Sequence, residues 1–175
     1  MIEAVASTLG VALLRTFSNG TIEYFFDRGR RIVFAHWNGD IRGEELLDDS
    51  PGLWREYPEV LRLNAIHDML DFTGLIEHRF GRELMQQRAA FFKDPQPDLR
   101  TAIVSADPMK STEIKVTKLN APQRQFRVFA SNAAALDWVT ADEPGNASAG
   151  LRDRGDALPW WFDRKPAARR NARAR

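Results

Sequence analysis

Cysteine is absent from all 175 residues, which excludes disulfides, thiolate metal sites and cysteine nucleophiles outright. No apolar run approaches the roughly 20 residues that a membrane-spanning helix requires. Ala4 to Leu14 is fairly apolar, but Glu3 stands where an export signal carries positive charge, so a leader of undetermined structure and a cytoplasmic chain are expected. No glycine-rich phosphate loop is present, because Gly20, Gly29, Gly39, Gly43 and Gly52 are isolated turn residues. Ser105 lacks the Gly-x-Ser-x-Gly setting of a hydrolase nucleophile, and His67 and His78 lack a metal-ligand spacing. The sequence therefore offers no catalytic constellation, and neither metal nor cofactor is expected.

What is present is a globular composition, 43% hydrophobic, of a length that forms one domain with extensions. Its charge is uneven. From Gly150 onward eight basic residues face three acidic ones, a surplus of +5, while the preceding body carries 17 basic and 21 acidic residues, or −4.

Thr21 to Asp27 and Arg30 to Trp37 are rich in aromatic and β-branched residues and are joined by a short turn in which Gly29 can take positive φ, so they form a hairpin. In its second arm Ile32, Phe34 and His36 share one face and Val33, Ala35 and Trp37 the other, so this strand is covered on both sides. Two short helical pieces follow, interrupted at Ser50-Pro51-Gly52. Leu61 to Gly74 reads as the central strand, followed by a helix from about Glu77 to Phe92 whose apolar stripe runs Ile76, Phe80, Leu84, Met85, Ala89, Phe92, with Arg88 elsewhere on the cylinder. Leu99 to Ser105 is the next strand, Asp107-Pro108 opens a helix reaching Leu119, Phe126 to Phe129 is a last strand, and Ser131 caps a final helix from Asn132 to Thr140. The order β-β-α-β-α-β-α-β-α predicts a single α/β domain with a leading hairpin and mainly parallel later strands. The expected layout is a leader over 1–19, the domain over 20–140, and a flexible basic tail over 141–175 with a Trp-Trp-Phe segment.

The hairpin with its Gly-Asp turn, the strand end His67-Asp68-Met69-Leu70-Asp71-Phe72-Thr73-Gly74, Ala102 to Pro108, and Phe126-Arg127-Val128-Phe129 leading to Ala135-Leu136-Asp137-Trp138-Val139 together resemble the SpoIIAA-like branch of the STAS superfamily. The resemblance spans roughly residues 20 to 140. It implies a non-enzymatic regulatory or protein-interaction module, and a distant likeness to the lipid-binding Sec14-type fold implies, as an alternative, a pocket for a small apolar ligand. Anti-sigma-factor antagonists of this kind carry a phosphorylatable Ser after the central strand, but here His78, Arg79 and Phe80 occupy that region, leaving Thr73 as the nearest hydroxyl.

Open α/β sheets present ligand sites at the carboxyl ends of their strands, so Asp68, Asp71, Thr73, Ser105 and Asp107 are the candidate contacts. Strand alternation places Asp68 and Asp71 on opposite faces, unless the strand ends between them. Structural roles are expected for both: Asp68 fixing a loop or helix N-terminus, and Asp71 or Thr73 capping the next helix. His36 is expected to be a core or edge histidine. In the tail, Trp160, Trp161 and Phe162 with Arg169 and Arg170 are candidates for contact with an anionic membrane or nucleic acid; the competing reading docks the aromatic cluster on the domain itself.

Overall fold

A computed structural model describes residues 11–91, 98–107, 124–141 and 158–163. Three strands open it as an antiparallel meander, β1 (Val11–Phe17), β2 (Asn19–Asp27) and β3 (Ile32–Asp40). The β2–β3 turn departs from expectation. It is Arg31, at φ 56°, and not Gly29, that takes the left-handed conformation. The Asp27 carboxylate holds this turn by accepting hydrogen bonds from the Arg30 amide at 2.9 Å and the Arg30 guanidinium at 2.6 Å.

Helix α1 (Gly43–Glu56) follows β3, and a 3-10 turn over Pro58–Arg62 leads into β4 (Asn64–Phe72). α1 is one helix rather than two pieces and continues through Pro51. Leu46, Leu53 and Trp54, spaced i, i+7, i+8, are all buried on one side of it. At roughly 1.5–3 kcal/mol per buried side chain, their burial outweighs the roughly 3 kcal/mol that an interior proline costs. Its first residue, Gly43, is a site of close approach: a Cβ there would lie 2.5–2.7 Å from the side chain of Phe80, which belongs to helix α2 (His78–Ala90).

β5 (Leu99–Val104), β6 (Arg124–Phe129) and α3 (Asn132–Thr140) complete the described elements. α3 begins as the sequence predicts, with the Ser131 hydroxyl accepting from the Ala134 amide. The helix expected after Asp107-Pro108 falls outside the described residues. The six strands lie in chain order, β3 to β6 parallel, in one mixed sheet with helices on both faces.

β3 is the spine, and its alternation divides the interior into two cores. Val33, Ala35 and Trp37 face the core under α1 and α2, together with Ile22, Tyr24 and Phe26 of β2. Ile32 and Phe34 face the core under α3, which also contains Trp161 and Phe162. The packed unit is thus wider than residues 20–140 at both ends. β1 pairs along its whole length with β2, and the segment 158–163 lies on the α3 face with Trp161 fully buried. Residues 142–150 hold little to bury, which places the expected end of the domain at Thr140, yet a polar stretch does not prevent a later aromatic cluster from filling the sheet face beside α3.

Candidate functional site

The carboxyl ends of β3 and β4 bring three titratable side chains together. Parallel pairing sets His36 opposite Asp68, but the next pair is Asn38 with Asp71, so Trp37 of β3 faces two residues of β4, Met69 and Leu70. This extra residue is a bulge, and it turns Asp71 onto the same face as Asp68. The expectation of opposite faces fails for that reason. His36 sits between the carboxylates, its Nδ1 3.7 Å from Asp68 Oδ2 and its Nε2 3.7 Å from Asp71 Oδ2.

Asp68 is 1% exposed. Its Oδ1 accepts from the Leu70 amide at 3.1 Å and its Oδ2 from Asn132 Nδ2 at 2.9 Å. Burial works against the charged form, but the adjacent His36, Asn132 and the Leu70 amide outweigh it and hold the carboxyl below its ordinary range. Asn132 is the first residue of α3, so Asp68 fixes a helix N-terminus as the sequence suggested. Asn132 Nδ2 also donates to the Phe162 carbonyl at 3.2 Å, which ties the C-terminal segment to the cluster. Trp161 covers His36. Its ring stacks on His36 with centroids 5.1 Å apart and planes at 21°, and Trp160 meets His36 edge-on at 6.2 Å. His36 Nδ1, Asn132 Oδ1 and Trp161 Nε1 are buried with no hydrogen-bond partner.

The other sequence candidates divide into rim and interior. Asp71 is half-buried and Thr73 exposed, with the Thr73 amide donating to the Gly39 carbonyl. Neither caps α2, whose N-cap is Glu77, because residues 73–77 form a connection before the helix begins. Ser105 and Asp107 sit at the end of β5, where Ser105 Oγ accepts from the Asp107 amide at 3.1 Å. His67 lies on the opposite sheet face, its Nδ1 accepting from the Trp37 indole at 3.1 Å, and His78 is exposed at the start of α2. The tail candidates separate too: Trp161 and Phe162 are buried, Trp160 is 65% exposed with its indole donating to Glu23, and Arg169 and Arg170 lie outside the described residues. Two of the three aromatic residues assigned to membrane or nucleic acid are therefore occupied within the fold. Among the described residues, no group of three or more His, Asp or Glu side chains is placed to hold a metal ion.

A second polar constellation, which the sequence reading missed, lies on the α1/α2 face. Arg88 of α2 and Arg124 of β6 are both buried and line a cavity of about 130 Å³ together with Thr101 and His67. Arg88 donates to the Leu61 carbonyl at 2.8 Å, and Arg124 donates to the Leu63 carbonyl at 2.8 Å and to Thr101 Oγ1. Burial, then the charges of Arg124 and Arg88, push the His67 imidazole down to about 4. The signal for Arg88 was present: it falls one turn after Leu84 on the inward stripe, but its charge argued for the opposite side.

No family model matches the chain, and no curated protein matches it. Among solved structures, the chain is similar to an uncharacterised protein of the DUF3478 family with a SpoIIAA-like fold from Shewanella loihica PV-4, at 17% identity and a TM-score of 0.46, covering 77% of this chain and 98% of that one.

Proposed function

We propose that the protein is a non-enzymatic regulatory module of the STAS type that binds a protein partner through the rim formed by Asp71, Thr73, Ser105 and Asp107. The observation that carries this reading is the seal over Asp68. A general base must lie within hydrogen-bond reach of a substrate proton. Asp68 is instead buried and committed to Asn132 and the Leu70 amide, beside a His36 ring that Trp161 covers. A carboxylate held in its charged form by fixed donors is suited to positioning backbone, and the groups that solvent reaches at this end of the sheet are short polar side chains suited to recognition.

The test uses the immobilised full chain beside an Asp71→Arg, Thr73→Arg variant. A partner enriched by the wild type, then purified and titrated, is expected to bind the variant at least about tenfold more weakly, a loss of roughly 1.4 kcal/mol. Equal binding to both surfaces would remove the rim from the interaction.

A further inference from the structure

The cavity on the α1/α2 face lies across the sheet from the strand-end cluster, and its chemistry is different. Its walls are largely apolar, with Val33, Ala35, Leu53 and Leu84 among them, and among the described residues no Asp or Glu lines it. Into this space projects Arg124, 9% exposed. Two of its nitrogens are bonded to neutral oxygens, of Thr101 and Leu63, and its Nε is buried with no hydrogen-bond partner. Among the described residues no carboxylate lies within ion-pair distance of Arg124, and the charged group that acts on it is of like sign, Arg88.

A guanidinium removed from water costs several kcal/mol unless an anion meets it. Its flat fork matches a carboxylate, which can engage two parallel N–H donors. The volume limits the rest of the ligand. An apolar cavity of about 150 Å³ accepts a benzene ring, and about 130 Å³ is close to that. An inorganic anion would leave the apolar walls without a partner, and a neutral hydrocarbon would leave Arg124 Nε without one.

We infer that this cavity is a binding site for a small apolar carboxylate, a single ring or short acyl chain, whose acid group pairs with Arg124 while its body lies between the sheet and the α1/α2 layer. The site is separate from the strand-end rim, so it stands whether or not a protein binds there.

Benzoate is the probe, with benzyl alcohol as its neutral counterpart and inorganic phosphate as an anion without an apolar body. Each is titrated into the full chain while the indole N–H resonances of Trp37 and Trp54, which line the cavity, are followed. Benzoate is expected to give saturable shifts at both indoles below about 20 mM, at least about tenfold tighter than either control, and to weaken at least about tenfold in Arg124→Met. Benzyl alcohol binding as well as benzoate would overturn the role of Arg124, phosphate binding as well would overturn the ligand class, and no saturable benzoate shift would overturn the site. Should Arg124→Met fail to fold, Leu84→Trp fills the cavity from its partly buried margin. That variant is expected to abolish the benzoate shift at Trp54, and an undiminished shift there would place benzoate elsewhere and refute the inference.

Discussion

Replacing Trp161 by alanine tests whether the C-terminal aromatic segment is structural. The ring is fully buried, stacks on His36 and meets Phe34 edge-on with centroids 6.2 Å apart. A tryptophan buries about 150–250 Å², worth roughly 4–6 kcal/mol at about 25 cal/mol per Å². Loss of the ring also loosens Phe162, but freeing the segment recovers about 1 kcal/mol of backbone entropy per residue, which limits the net loss. About 3 kcal/mol is expected, consistent with the roughly 3–5 kcal/mol of core Trp→Ala changes. In urea, with a slope near 2 kcal/mol per M, the unfolding midpoint should fall by about 1.5 M. Truncation after Thr140 removes the same contacts and should destabilise to within about 1 kcal/mol of Trp161→Ala, whereas Trp160→Ala, at an exposed ring, should cost less than about 0.5 kcal/mol. A truncated chain as stable as the full one would show that the buried aromatic segment contributes nothing to the fold.

Two further perturbations probe the other face. His67 titrates near 6.5 when unfolded but near 4 when folded. Between those values the unfolded chain holds the extra proton, so stability falls with decreasing pH by about 3 kcal/mol across the window. Urea midpoints at pH 7, 5.5 and 4.5 should show this slope in wild type and a flatter one in His67→Gln; identical slopes would remove His67 as its source. Gly43→Ala would drive a methyl into the Phe80 ring, and a loss of roughly 1–3 kcal/mol is expected from overpacking at that crossing. Thermal melts unchanged by the substitution would show that α2 does not rest on α1 there.

Most of the sheet was legible because its signals are local. The two-sided apolar pattern of Ile32 to Trp37 marked β3 as a strand covered on both faces, and Ser131 with the Ala135-Leu136-Val139 stripe gave α3 to the residue. The strand-end site was legible as a list of residues but not as a geometry. Its convergence rests on a one-residue bulge, and nothing in Asp68-Met69-Leu70-Asp71 marks where the extra residue enters the pairing. His36, the third member, looked like a core residue and is one; its neighbours come from a strand 32 residues on and a segment 125 residues on. α1 was misread at Pro51 because local propensity was overridden by the burial of Leu53 and Trp54 beyond it. The buried arginines were hidden by charge, since tertiary packing alone takes Arg88 and Arg124 inside.

The account depends on Asp68 being a sealed, ionised anchor rather than a working acid. Carbon-13 NMR of its side-chain carboxyl, followed against pH in the intact chain, measures this directly. The account predicts a midpoint below 3.8, with the resonance insensitive to added solutes until the fold is lost. A midpoint raised toward neutrality, as a general acid in a water-reachable cleft would show, would contradict it.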